Sequence, residues 1–295
     1  MKPPLPVVEG VAPSRQTLPA GAWATVLEFL AERHAAVGAD AWAARMRKGE
    51  VVDETGARLT PASPYRAGAR VFYYREPADE PRVPFEARIL YRDEHLLVAD
   101  KPHFLPVVPA GRFLRETLLV RLKRSTGEAH LVPVHRIDRE TAGVVVFSAE
   151  PSTRGAYASL FQRREVSKVY HALAPAPPAP LRFPLTRRSR VVTGEPFFRM
   201  KEAEGEPNSE TRVDVLKSAG GAALYEARPV TGRKHQVRLH LAALGAPVFN
   251  DRLYPEVLPA APEDFSAPLK LLARSVSFRD PFTGRERHFE SGREL

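Results

Sequence analysis

Residues 134–147 read Val134-His-Arg-Ile-Asp-Arg-Glu-Thr-Ala-Gly143 and then Val144-Val-Val-Phe147, a charged run that feeds straight into an apolar one. The second half is the clearest buried strand in the chain, four apolar residues in a row that are β-branched or aromatic. The first half is the densest polar cluster, and a loop entering a rigid strand is where catalytic groups concentrate. Asp138 lies between Arg136 and Arg139. Flanking guanidinium groups favour the anionic carboxylate, as a nucleophile or general base requires. The same residues also suit a structural ion-pair turn.

Outward from this block the chain alternates short strands and helices. Ile89-Leu-Tyr and Leu96-Leu-Val-Ala read as strands, with Asp100-Lys-Pro placing a charged pair at a strand end. Leu114, Leu118 and Leu122 recur at helical spacing over 114–123, and a further helix covers 155–162. Val166–Leu173 alternates as a strand, with Lys168 and Tyr170 on one face. Residues 174–184 hold Pro175, Pro177, Pro178, Pro180 and Pro184 and cannot be regular. Val237, Leu241 and Leu244 predict a helix over 233–244 that stops at Gly245, with Thr231 as its cap and Arg233 in its first turn.

Upstream, a proline-rich arm leads to a helix marked by Trp23, Val26, Leu27 and Leu30, and to a second marked by Trp42 and Met46. Short strands follow within 51–59 and 69–74, and the charged, proline-broken stretch 76–84 marks a boundary. The reading is a small helix–strand module over 1–84 and a larger domain over 85–295. Without βαβ regularity, the larger domain is α+β, built on an antiparallel or mixed sheet.

Composition narrows the chemistry. The 295 residues include no cysteine, which excludes disulfides, thiolate metal sites and thiol nucleophiles and fits a reducing, cytoplasmic setting. No signal peptide is visible behind Lys2, and no apolar run is long enough to span a membrane. Arginine and lysine total 44 against 35 acidic residues, and 35 of the 44 are arginine, the residue that forks onto phosphates and stacks on bases. The excess is uneven: residues 1–85 carry 11 basic and 10 acidic side chains, residues 86–295 carry 33 and 25. A polyanionic partner for the second part follows naturally. No GxxxxGK[ST], GxGxxG or GxSxG pattern appears, so a bound nucleotide cofactor and a hydrolase elbow have no support. His235 and His240 are five residues apart, about 500° around a helix, which does not suit a zinc pair.

Five blocks together resemble the RluA-type pseudouridine synthases, which isomerise uridine in ribosomal and transfer RNA. His135-Arg-Ile-Asp-Arg-Glu-Thr-Ala-Gly143 is similar to HRLDxxTSG, Lys168-Val-Tyr-His-Ala172 to KxYxA, and Thr231-Gly-Arg-Lys-His-Gln-Val-Arg-Leu-His240 to TGRxHQIRxH. Leu96–Pro102 resembles the family's opening strand, and Asn250-Asp-Arg-Leu-Tyr254 its GDxxY block, with Asn250 in place of glycine at a turn that favours positive φ.

The resemblance implies an α+β catalytic domain with a largely antiparallel sheet and a central cleft. It implies that Asp138 is the essential aspartate, Tyr170 the ring that packs on a flipped uracil, and Arg233 the arginine paired with the aspartate. Arg136, His135, Arg139 and Val237 are implied as substrate-contacting residues, and the 1–84 module as a degenerate version of a small RNA-binding domain. The reaction breaks the bond from ribose to ring nitrogen, turns the uracil and rejoins it through ring carbon. That chemistry needs no metal or cofactor. Attack on ribose, attack on the base and removal of a ribose proton are all open to Asp138. Expected partners are ribosomal or transfer RNA and no membrane, with a monomer as the working state because no interface helix stands out. A non-catalytic RNA-binding or ribosome-assembly protein on the same fold is the alternative. A hydrolase that pairs Asp138 with Glu140 or Asp100 is a weaker one, because a glycosidase needs an acid and a base across the bond.

Overall fold

The structure is a computed structural model, and it describes residues 4–75, 80–259 and 264–295. The chain divides into two compact units, residues 1–81 with 110–115, and residues 82–109 with 116–295. Part of the proline-broken stretch at 76–84 lies outside the described residues. Residues 110–115, which the sequence pattern attaches to the larger domain, group with the smaller unit instead.

The smaller unit contains β1 (Ser14–Thr17), α1 (Val26–Arg33), α2 (Ala39–Arg47), β2 (Val51–Asp53) and β3 (Arg70–Tyr73), with sheet order β1-β3-β2. Thr25 caps α1 by accepting from the Glu28 amide at 3.1 Å. Trp23 therefore sits before the helix rather than on its stripe, and its ring meets Phe29 at 5.0 Å and Tyr65 at 5.1 Å. Phe29, Leu30, Trp42, Met46 and Val71 form the buried core.

The larger unit contains β4 (Arg88–Arg92), β5 (Leu96–Lys101), α3 (Leu118–Thr126), β6 (Val132–Pro133), β7 (Ala142–Ser148), α4 (Arg154–Arg163) and β8 (Val166–Pro175). It continues through β9 (Leu185–Thr193), β10 (Met200–Ala203), β11 (Ser209–Ala219), β12 (Ala222–Pro229), α5 (Gln236–Ala243), β13 (Leu271–Arg279) and β14 (Glu286–Glu290). The sheet runs β10-β9-β11-β12-β8-β13-β7-β5-β4, with β14 added on β13 and β6 on β7. Its named strand pairs are antiparallel except β13 with β7. The α+β class with a mixed, largely antiparallel sheet is thus the observed architecture.

Three element boundaries shift for local reasons. The helix expected over 114–123 begins at Leu118, because Thr117 accepts from the Val120 amide at 3.3 Å, and it ends where Gly127 turns left-handed at φ 75°. The strand from Val166 runs on to Pro175, so the irregular stretch starts only at 176. The helix expected over 233–244 begins at Gln236, because His235 takes a left-handed φ of 56° that interrupts helical geometry. All seven residues of β7 are buried, which is why four apolar residues in a row mark it without alternation.

Candidate active site

The charged block forms the loop between β6 and β7 and is pinned from several directions. The Val134 amide donates to the Val146 carbonyl at 3.0 Å, and the Thr141 amide to the Asp138 carbonyl at 3.2 Å. His135 Nε2 accepts from the Val146 amide at 3.1 Å, and its ring stacks on Phe161 of α4 at 4.6 Å and 14°. Burial, then the charge of Lys168, pulls this imidazole down to about 3, so it stays neutral and able to accept. His135 therefore clamps loop, strand and helix together.

Lys101, at the end of β5, holds the loop from beneath. It is fully buried, and Nζ donates to the carbonyls of Pro102 at 2.9 Å, Leu105 at 2.7 Å and Arg139 at 3.0 Å. Burial pulls its ammonium down to about 7, opposed by the charges of Glu140 and Asp138. His103 Nδ1 meets the Glu140 carbonyl at 2.6 Å. Arg139 Nε donates to Glu140 at 2.8 Å, so that guanidinium is tied to its neighbour. Arg136 is exposed and has no ion-pair partner among the described residues.

The guanidinium on Asp138 is not that of Arg233. Arg233 precedes α5, lies exposed, and donates from Nε to the Asn208 carbonyl at 3.2 Å. Its backbone is held by the Gln236 side chain, which accepts from the Arg233 amide at 3.0 Å and from the Thr231 hydroxyl at 2.6 Å. Thr231 thus serves this turn rather than capping the helix.

Arg238, one turn further on, takes the position at Asp138. Its Nη1 donates to Asp138 Oδ2 at 3.2 Å, while Nε and Nη2 fork onto Asp251 at 2.7 and 2.6 Å. Burial works against its charge, but the Asp251 hydrogen bonds and the Asp138 charge outweigh it and raise its pKa. Asp251 is held in turn by the amides of Leu253 at 2.8 Å and Tyr254 at 3.2 Å, in a turn made possible by Asn250 at φ 64°.

Tyr254 completes the support. Its ring lies 5.5 Å from Arg238 Cζ, and its hydroxyl accepts from the Met200 amide at 2.8 Å and meets His235 Nδ1 at 3.1 Å. His235 Nε2 is 3.9 Å from Asp138 Oδ1. That oxygen accepts no hydrogen bond among the described residues, so Asp138 presents one held and one free oxygen.

Tyr170 stands on β8 against the core cluster that contains Val237. Burial, then the nearby charge of Asp138, raises its phenol pKa, so the ring stays a neutral phenol. Val237 is buried within that cluster, with Tyr170 packed against it. On the same face of β8, Lys168 Nζ donates to the Thr231 carbonyl at 2.9 Å, joining the strand to the turn before α5.

Asp138, Tyr170 and Val237 are therefore brought to one region, while His135 is bound to Val146 and Phe161 and Arg233 to the Asn208 carbonyl. Arg238, Asp251, His235 and Tyr254 are the residues that motif reading passes over. Arg238 had a signal: a lone arginine inside the apolar run Val237-Arg-Leu-His-Leu241 needs a buried partner. Among the described residues, no group of three histidines or carboxylates is placed to hold a metal ion, and no helix is long and apolar enough to cross a membrane.

Comparison with known proteins places this geometry in a family. The RNA pseudouridylate synthase family matches residues 95–243. The dual-specificity RNA pseudouridine synthase RluA of Salmonella typhimurium is 32% identical over 219 residues, covering 68% of this chain and 91% of that protein. The uncharacterized RNA pseudouridine synthase slr1592 of Synechocystis is 30% identical over 231 residues, covering 78% of this chain and 79% of that one. Among solved structures, human RNA pseudouridylate synthase domain containing 4 superposes with a TM-score of 0.54 at 26% identity, covering 68% of this chain and 87% of that one. With the aspartate loop, the tyrosine strand and the arginine helix all inside the matched segment, this chain belongs to the RluA-type RNA pseudouridine synthases.

Proposed function

We propose that Asp138 is the reacting carboxylate of this synthase, that Arg238 aims it, and that Tyr170 forms the wall against which the uracil turns. The enzyme isomerises uridine to pseudouridine in RNA. The bond from ribose C1′ to ring N1 breaks, a bond from C1′ to ring C5 forms, the C5 proton leaves and N1 gains one. Nothing is oxidised or reduced. Attack and proton removal ask the same of the protein: one carboxylate oxygen fixed, the other free to meet the nucleoside. The observation that carries the reading is that asymmetry, with Oδ2 held by Arg238 at 3.2 Å and Oδ1 unbonded among the described residues.

The target must leave its stack to reach Asp138, at a cost of roughly a few kcal/mol. Stacking on Tyr170 and phosphate contacts from exposed cations such as Arg136 and Arg233 offset it. Ribosomal or transfer RNA is the proposed substrate, since both are folded RNAs that present loop uridines.

Asp138→Asn tests the assignment, because it keeps the shape and removes the charge. Incubation with bulk unmodified ribosomal and transfer RNA, followed by nucleotide-resolution mapping, should give new pseudouridines with wild type. The variant should lose turnover by at least about a hundredfold while keeping RNA affinity. Undiminished turnover in the variant would remove Asp138 from the reaction.

A further inference from the structure

The hairpin that joins β9 to β10 ends in an unusual turn. The Arg199 amide donates to the Pro196 carbonyl at 2.8 Å and the Gly194 amide to the Arg199 carbonyl at 2.8 Å, closing a tight turn whose two central residues are Phe197 and Phe198. Central turn positions ordinarily take glycine, asparagine, aspartate or proline. Here they carry two phenylalanines, 82% and 40% exposed, with ring centroids 5.6 Å apart. Two large apolar rings held in water at a turn apex gain little for the fold, and exposed aromatic surface of this kind marks a contact site.

The base of this turn is rooted in the active site. Arg199 Cζ lies 5.2 Å from the Tyr254 ring, and its guanidinium donates to the Pro255 carbonyl. The next residue, Met200, brackets the Tyr254 hydroxyl with its amide at 2.8 Å and its carbonyl at 3.2 Å. Tyr254 meets His235 and Arg238, and Arg238 holds Asp138. The aromatic apex is thus anchored to the group that aims the reacting carboxylate.

The larger unit also exposes charge of the right sign. Arg136, Arg164, Arg233 and Lys234 are exposed and have no carboxylate partner among the described residues. Arg233 reaches the hairpin side directly, since the Asn208 whose carbonyl it binds also bonds Val191 of β9 through its side chain. Exposed aromatic rings and exposed cations on one domain are the combination by which proteins hold single-stranded RNA, phosphates on the cations and bases on the rings.

We infer that the Phe197–Phe198 apex is a stacking platform for an unpaired base of the substrate RNA next to the target uridine. Occupancy of the platform fixes the strand whose neighbouring nucleotide is turned out toward Asp138. The inference rests on Asp138 being the reacting carboxylate, and the test separates the two.

In an Asp138→Asn background, which stops turnover during the measurement, affinity for unmodified bulk ribosomal and transfer RNA is compared for Phe197, Phe197→Ala and Phe197→Trp. Stacking predicts that alanine weakens binding by about tenfold and that tryptophan restores it to within about threefold. The melting temperature should stay unchanged, because the ring is exposed. Equal affinity of all three proteins, or equal loss with alanine and tryptophan, overturns the platform. So does a change in sedimentation with RNA affinity intact, which would assign the apex to a second copy of the chain. If the Asp138→Asn parent still turns over, the reading of Asp138 fails whatever the affinity series shows.

Discussion

At the scale of single residues, the site turns on which of two arginines faces a carboxylate. Arg238 and Asp251 are both buried and share two hydrogen bonds. Removing one partner of such a pair leaves an uncompensated buried charge, which costs about 3–5 kcal/mol. Arg238→Met should therefore lower the urea-unfolding free energy by about that much and abolish turnover. Arg233 is exposed and bonds only a backbone carbonyl, so Arg233→Ala should leave stability within about 0.5 kcal/mol. Its effect belongs in KM, with kcat held. A collapse of kcat in Arg233→Ala, with Arg238→Lys still active, would return Arg233 to the carboxylate.

At the scale of elements, the catalytic loop depends on the seam between β7 and β13. Gly143, five residues after Asp138, sits at φ 117°, and a Cβ there would come within 2.1 Å of the Ala273 carbonyl oxygen. Only glycine fits both the dihedral and the approach. Gly143 also pairs with Lys101 of β5, whose ammonium holds the Arg139 carbonyl. Gly143→Ala should thus cost more than the about 1–3 kcal/mol of dihedral strain alone, visible as a lowered melting temperature or insoluble protein. If it folds, turnover should fall further than substrate affinity, because the displaced element carries Asp138. A soluble variant with wild-type melting and rate would separate the seam from the site.

At the scale of the whole molecule, two bulk properties follow from where charge is placed. Burial pulls His135 to about 3 and His103 and His240 to about 4, all below the ordinary 6.5. His240 in particular is locked between Ser189, Ser209 and Thr211 at 2.9–3.0 Å. The folded protein binds fewer protons than the unfolded chain as pH falls below 6.5, so stability is full above that value and declines from 6.5 toward 4. Urea midpoints at pH 7.5, 6, 5 and 4 should fall in that order, and His135→Gln should flatten the decline. A midpoint constant down to pH 4.5 would show that these imidazoles are not held neutral. The second property is salt dependence. With four exposed cations, on the loop, at the end of α4 and before α5, lacking carboxylate partners among the described residues, log affinity for RNA should fall with log salt at a slope of about −3. A flat response would mean that this rim does not meet phosphates.

The sequence alone determined the fold class and the family, and it singled out Asp138 as the carboxylate to test, because each is written in short-range pattern. A run of four β-branched or aromatic residues marks a buried strand, and the family motif in the polar loop before it marks Asp138. Alternation over Val166–Leu173 places Lys168 and Tyr170 on one face whatever the rest of the chain does. The positive φ at Asn250 was legible for the same reason, since a residue's dihedral preference is local. Which arginine meets Asp138 was decided only in three dimensions. Arg233 and Arg238 stand five residues apart in one motif and are chemically alike. The choice between them is made by a left-handed His235, by a Gln236 side chain that ties up the turn, and by Asp251 arriving 13 residues later to fork onto Arg238. Likewise His135 reads as a polar residue beside a catalytic one. Only the placement of Phe161 on α4 and of the Val146 amide fixes its ring as a clamp, because long-range packing, and not the residue's chemistry, sets what a side chain meets.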